Sequence, residues 1–247
     1  LATYYYEFNT ARPPFNDARV RKALNMALDK DIIADKVMGQ GQRPAWLISQ
    51  PDIGGVKLQN PDYASWPRDK RIAEAKKLLE EAGYNASHPL SFNLLYNTSE
   101  THQRIAIAAS SMWKKNLGVE AKLQNQEWKT MLDTMHTHNF DAVRYAWIAD
   151  YDDASTFLNN FRTGDSQNTT QYSNPEYDQA LVNAAKSKTA QERGKFYQQA
   201  EDLLGRDVPA IPVYHYVRTH LVKPWVGGFT PDKLGYYFTK DMYIKKH

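Results

Sequence analysis

The sequence predicts an α/β fold, and three observations carry that prediction. Runs rich in aromatic and β-branched residues alternate along the chain with segments whose apolar residues recur at helical spacing. Of the 247 residues, 42% are hydrophobic, which is enough to bury a substantial core. Gly, Asn, Asp and Thr stand at the joints between segments, where caps and turns need them.

The elements follow in order. Tyr4-Tyr5-Tyr6-Glu7-Phe8-Asn9 reads as a first strand ending in polar turn residues. Asn16-Asp17 then caps a helix through Val20, Ala23, Leu24 and Ala27, and a second helical stretch from Asp29 to Met38 stops at Gly39 and Gly41. Residues 42–67 hold Pro44, Pro51, Pro61 and Pro67 with Gly54-Gly55 and no sustained period, so they read as a long irregular surface segment. Ile72, Ala75, Leu78, Leu79 and Ala82 mark a helix closed by Gly83. A strand over residues 90–96, a helix over 99–117 lined by Ile105, Ala108, Ala109 and Met112, and a strand over 119–123 come next. A helix over 128–136, a strand over 140–148 and a short helix over 155–161 complete the alternation. Thr189-Ala190-Gln191-Glu192 has the capping-box form and opens a long helix through Phe196, Ala200 and Leu203. The last strand, 211–217, contains Pro212. From Leu221 the chain turns aromatic without a helical period, and this tail reads as strands that pair elsewhere.

Composition removes several classes of function. Lys and Arg number 31 and Asp and Glu 28, a net charge of +3 with no basic run of the kind that tracks a phosphate backbone, so no nucleic acid is expected as partner. No stretch approaches the roughly 18 apolar residues of a membrane span, and no leader opens the chain at Leu1. A soluble, processed chain or a piece of a longer one is expected. Without cysteine there is no disulfide, thiolate zinc site or Cys nucleophile. Phosphate-cradling glycine loops, Gly-x-Ser-x-Gly elbows and His-Glu-x-x-His are also missing, so neither catalytic residues nor a cofactor is expected. Asp150, Asp152 and Asp153 raise a glycosidase reading, but they crowd one turn where such carboxylates face each other across a cleft. His136 with His138, and His215 with His220, lack metal-ligand spacing and read as exposed or hydrogen-bonded histidines, so no metal is expected. Sixteen tyrosines and six tryptophans point instead to a surface that handles ligands by stacking.

Strand 140–148 is the most informative. Phe140, Ala142, Arg144, Ala146 and Ile148 share one face by alternation, with Asp150 following on the same parity. Extended chain would separate Arg144 from Asp150 by about 20 Å, too far for mutual neutralisation. Either other side chains of the fold satisfy both, or they face a cleft that takes a zwitterion, its ammonium on the acid and its carboxylate on the base. Trp128 and Trp147 line that cleft or pack in the core.

Six segments carry a resemblance: Thr3-Tyr4-Tyr5-Tyr6-Glu7-Phe8-Asn9, Leu94-Leu95-Tyr96-Asn97-Thr98-Ser99, Met112-Trp113-Lys114-Lys115-Asn116-Leu117-Gly118-Val119, Asn125-Gln126-Glu127-Trp128-Lys129-Thr130, Ala149-Asp150-Tyr151 and Val222-Lys223-Pro224-Trp225-Val226-Gly227-Gly228. In this order, and on to the final Met242-Tyr243-Ile244-Lys245-Lys246-His247, the chain resembles the periplasmic oligopeptide-binding proteins of bacterial ABC importers. The resemblance implies a periplasmic-binding-protein type II-like lobe, a mixed sheet flanked by helices, plus a C-terminal tail belonging to the other lobe. Residues 1–217 would be the second peptide-binding lobe and 218–247 the return segment that completes the first, the N-terminal lobe of the same protein being missing from this chain. Implied partners are short peptides and the permease subunits of the importer in the inner membrane, and the implied location is the periplasm. Asp150 matches the group that holds the peptide ammonium, and Arg144 and His102 match groups that take C-terminal carboxylates. Asn97, Trp128, Trp147, Tyr5, Glu7 and Tyr216 match residues lining the cleft. Ala2 and Ile148 stand where typical members have a disulfide-bonded pair, an absence shared with the murein-peptide-binding branch, and Met38 and Met135 replace two cations. A murein-peptide receptor with a signalling or recycling role is therefore the alternative reading.

Overall fold

The computed structural model describes residues 1–246. Strand β1 (Ala2–Phe8) is buried at every position, as a strand in the middle of a sheet must be. Helix α1 (Ala18–Ala27) is capped by Asp17, whose carboxylate accepts the Arg19 N–H at 2.9 Å. Helix α2 (Lys30–Ile32) continues as a π-helical turn, Ile33–Met38, and ends at Gly39 in the left-handed conformation with its N–H on the Ala34 carbonyl. Beyond β2 (Arg43–Pro44) the chain makes two 3-10 turns before α3 (Arg68–Glu81). Strand β3 (Ser91–Asn97), helix α4 (Glu100–Leu117), strand β4 (Glu120–Gln126), helix α5 (Trp128–His136), strand β5 (Ala142–Ile148) and helix α6 (Ser155–Leu158) follow. The rest comprises α7 (Pro175–Lys186), α8 (Ala190–Asp207), β6 (Ala210–His215) and the short strands β7 (Val226–Gly227) and β8 (Tyr243–Ile244).

Six strands form one mixed sheet in the order β2-β6-β1-β5-β3-β4. β1 runs antiparallel to both neighbours, with Tyr6 opposite Arg144 and Ala2 opposite Ile148, whereas β5, β3 and β4 are parallel. The alternation of β1 divides the interior. Tyr4, Tyr6 and Phe8 point to a core closed by α1, α3 and α4, in which Trp113 is fully buried and its indole donates to the Leu24 carbonyl at 2.9 Å. Tyr5 points the other way, to a core shared with α6, α7 and α8. A smaller cluster of Leu95, Met131, Met135, Phe140 and Val143 seats α5.

Four features differ from the sequence reading. Helix α7 has no counterpart there, although Asn174 caps it and Pro175 occupies its first turn. Residues 42–67 are irregular but not superficial: Ala45, Leu47, Ile48 and Ile53 are buried. The buried seam of α4 is Ile105, Ala106, Ala109 and Trp113, with Ala108 and Met112 at its margin. In the tail, β7 and β8 pair with each other. Gly228 makes that pairing possible, because its φ is +76° and a Cβ there would collide with the Asp241 carbonyl oxygen. Tyr236, Phe238, Tyr243 and Ile244 remain exposed.

The irregular segment is held from α8. Glu201, 2% exposed, accepts the backbone N–H groups of Ser49 at 2.7 Å and Ile48 at 3.2 Å. Burial pushes its carboxyl up to about 7, against the opposing effect of these N–H bonds. An acid whose pKa is raised on folding contributes most below its unfolded value, and that contribution is lost as pH rises toward 7. Glu201→Gln therefore gains stability relative to the parent by up to about 3 kcal/mol between pH 4.5 and 8, visible as a several-degree convergence or crossing of thermal midpoints measured across that range. A pH-independent difference is incompatible with a buried, titrating Glu201.

Candidate functional site

The site is built at the end of β5 and in the loop that follows it. Arg144 lies in the strand opposite Tyr6 and is 6% exposed. Its Nη1 donates to Asn97 Oδ1 at 3.1 Å, its Nη2 donates to the Tyr216 hydroxyl at 2.9 Å, and its guanidinium lies 4.7 Å from the centre of the Tyr4 ring. Nε has no partner, and among the described residues no carboxylate forms an ion pair with it. Neutral oxygens and one aromatic face thus hold a buried cation whose charge nothing among the described residues cancels.

Asp150 is the complementary case. Its backbone N–H donates to Thr156 Oγ1 at 3.0 Å, but among the described residues no donor reaches its exposed carboxylate. The two acids beside it are occupied. Asp152 accepts the Gly54 N–H at 2.8 Å and pairs with Lys233 at 3.8 Å. Asp153 accepts from the Ser155 N–H and hydroxyl and from the Tyr197 hydroxyl, and forms an ion pair with Arg193 at 3.4 Å. A pair of free carboxylates, as a glycosidase needs, is not what this turn presents.

Arg144, Asp150, Trp128, Trp147 and Tyr216 all line one open cavity of about 840 Å³. Trp128, 41% exposed, stacks parallel to Tyr145 with ring centres 6.2 Å apart, and the Trp147 indole donates to Thr156 Oγ1 at 3.3 Å. The far wall comes from residues 231–235 of the tail, close enough for Lys233 to donate to the Asp52 carbonyl. Such a volume suits a small molecule of several residues' size.

The remaining site candidates do not line this cavity. Asn97 stands behind it as the acceptor for Arg144. His102, in the first turn of α4, has its ring centre 5.7 Å from that of Tyr4 and a buried Nδ1 without a partner. Burial first, and the Arg144 charge second, push its pKa down to about 4, so the ring is neutral at pH 7. Tyr5 is buried between Tyr145 and Phe161. Glu7, 2% exposed, takes a hydrogen bond from the Thr169 hydroxyl, and burial pushes its carboxyl up to about 7. Met135 is in the core beneath α5, and Met38 packs against the larger core. Among the described residues no group of three His, Asp or Glu side chains converges as metal ligands would, and no helix is long and apolar enough to cross a membrane.

Sequence reasoning missed Tyr145, Ile148 as a cavity wall, Thr156, and the loop 231–235. Tyr145 and Arg144 have opposite parity, yet both line the cavity, as do Ala146, Trp147 and Ile148, so residues of both parities in β5 contribute to it.

Residues 1–169 match the model of the bacterial extracellular solute-binding proteins, family 5, middle region. The whole chain is 50% identical to the periplasmic oligopeptide-binding protein OppA of Escherichia coli, covering 46% of that protein. It is similar in structure to the Escherichia coli murein tripeptide binding protein MppA, with a TM-score of 0.91 at 43% identity over 100% of this chain and 49% of that one. Haemophilus influenzae OppA in complex with RPPGFSPFR gives a TM-score of 0.89 at 44% identity, covering 100% and 49%. The chain spans about half the length of the curated relatives it matches. With a fold, a whole-length likeness and a family match over more than half its residues in agreement, the chain belongs to the bacterial extracellular solute-binding proteins of family 5.

Proposed function

We propose that this chain is the second peptide-binding lobe of the substrate-binding component of a bacterial peptide importer. That protein captures short peptides in a cleft between lobes in the periplasm and delivers them to permease subunits in the inner membrane. One observation carries the reading: a single cavity holds a carboxylate and a guanidinium, Asp150 and Arg144, that among the described residues have no donor and no anion respectively. The two ends of a short peptide answer both. The names of the OppA relatives and the peptide in one of their complexes support this ligand class. In this reading the protein works by binding without turnover.

In this reading Asp150 receives the peptide ammonium and Arg144 the C-terminal carboxylate of the shorter ligands, with Asn97 and Tyr216 setting the guanidinium plane. His102, which stands outside this cavity beside Tyr4, is the proposed partner for a carboxylate placed one residue differently, its neutral ring having an N–H to give. Trp128 and Trp147 form apolar walls, and Tyr5 and Glu7 act from behind, through Tyr145 and the 168–172 loop. Charge-assisted bonds at both ends fix the register while roomy walls tolerate varied side chains. Residues 1–217 are the lobe, and 218–247 belong with the partner lobe, for which the exposed aromatic residues of the tail are suited. The likeness to a murein tripeptide binding protein favours a second reading, a murein-peptide receptor with a signalling or recycling role. Competition between trialanine and the murein tripeptide separates the two.

Two substitutions in the full-length polypeptide test the charge assignments. Asp150→Asn weakens trialanine by at least about tenfold, or about 1.4 kcal/mol, and leaves the weaker N-acetyl-trialanine nearly unchanged. Equal losses for both in calorimetry remove Asp150 from the ammonium site. Arg144→Met penalises the free-acid tripeptide more than its C-terminal amide, since only the acid then carries an unpaired charge; an identical loss for acid and amide makes Arg144 structural.

A further inference from the structure

We infer that Thr156 is a positioning residue for the ammonium end of the cavity, an inference that rests on the role proposed for Asp150. Its Oγ1 accepts two N–H groups at once, the Trp147 indole at 3.3 Å and the Asp150 backbone at 3.0 Å. These donors belong to a strand-end side chain and to the backbone of the loop three residues on, points that extended chain separates by about 10 Å. One hydroxyl therefore fixes both the orientation of an aromatic wall and the path of the backbone that carries the free carboxylate.

Thr156 is itself held firmly. It is 4% exposed, its N–H donates to the Asp153 carbonyl at 3.2 Å, and its own carbonyl accepts from Asn160 at 3.4 Å. Phe157 and Leu158, the next two residues, are fully buried against α7 and α8. Asp153 is fixed in turn by Ser155, Tyr197 and Arg193, so the support for Asp150 reaches back to the long helix α8. Only a hydroxyl offers two acceptor lone pairs in the space of this side chain. Valine has the same shape and offers none, and it would leave two N–H groups near the cavity without their acceptor.

The test compares Thr156→Val, Thr156→Ala and Thr156→Ser in the full-length protein. Calorimetry with trialanine and N-acetyl-trialanine is expected to show the valine variant about tenfold weaker for the free amine and changed less than about twofold for the acetylated peptide. Serine restores both values. Alanine, which removes the hydroxyl without crowding, reads the same way as valine and stands in for it should valine impair folding. In peptide-free protein, exchange of the Trp147 indole N–H and the Asp150 amide accelerates together in the valine and alanine variants and not in serine. Equal losses for the two peptides, failure of serine to restore, or unchanged exchange overturns the inference. On the Asp150→Asn background, loss of the hydroxyl adds nothing to the discrimination between trialanine and N-acetyl-trialanine; an added loss also overturns it. Failure of Asp150→Asn itself to discriminate counts against the functional reading, and the exchange measurement still decides whether Thr156 orders these two donors.

Discussion

A guanidinium enclosed in a sheet, with no carboxylate of the described residues paired to it, is the constraint on which the other features of this fold depend. Moving an uncompensated cation out of water is costly, and the fold meets the cost with the Tyr4 ring, the Asn97 amide oxygen and the Tyr216 hydroxyl. Each comes from a different part of the sheet. Tyr4 is on the central strand, Asn97 ends β3 on one side, and Tyr216 follows β6 on the other. The mixed topology brings these three chain segments to one place, and the tyrosine-rich β1 is its axis. Neutral ligands hold Arg144 without cancelling its charge, so an anion from outside still gains by arriving.

The loop after β5 solves the opposite problem, keeping one carboxylate free among three. Asp152 and Asp153 serve as pins, one to the Gly54 turn and Lys233, the other to Ser155, Tyr197 and Arg193. Their neighbour is thereby presented to the cavity on a backbone that cannot turn to satisfy it. Preorganisation of this kind lowers the ordering cost a flexible loop would incur on binding.

Much of this architecture was legible in the sequence where a strong local period coincided with a cap. Helix α5 occupies the residues its pattern predicts, and the capping residues Asp17 and Thr189 each accept the expected backbone N–H. Helix α7 was missed although its buried residues, Tyr177, Ala180, Leu181 and Ala184, keep helical spacing, because two of the four are alanines and the rest of the segment is largely polar. The burial of residues 42–67 was hidden because proline and glycine signal irregular backbone and say nothing of what covers it. For the site, alternation placed Arg144 and Asp150 on one side of their strand, and resemblance supplied the roles to test. Neither could show that Tyr5 and Glu7 sit behind the cavity, or that loop 231–235 forms its far wall, because both facts depend on pairings between distant segments. Thr156 was invisible for the same reason: one hydroxyl serving two donors has no sequence signature.

The most direct measurement is a crystal structure of the full-length protein with trialanine bound. The account predicts the peptide ammonium within about 4 Å of the Asp150 carboxylate, the limiting distance of an ion pair, and the terminal carboxylate on Arg144 with the Asn97 and Tyr216 bonds retained or shared. A peptide bound in the reverse direction, or bound with neither Asp150 nor Arg144 in contact with it, would contradict it.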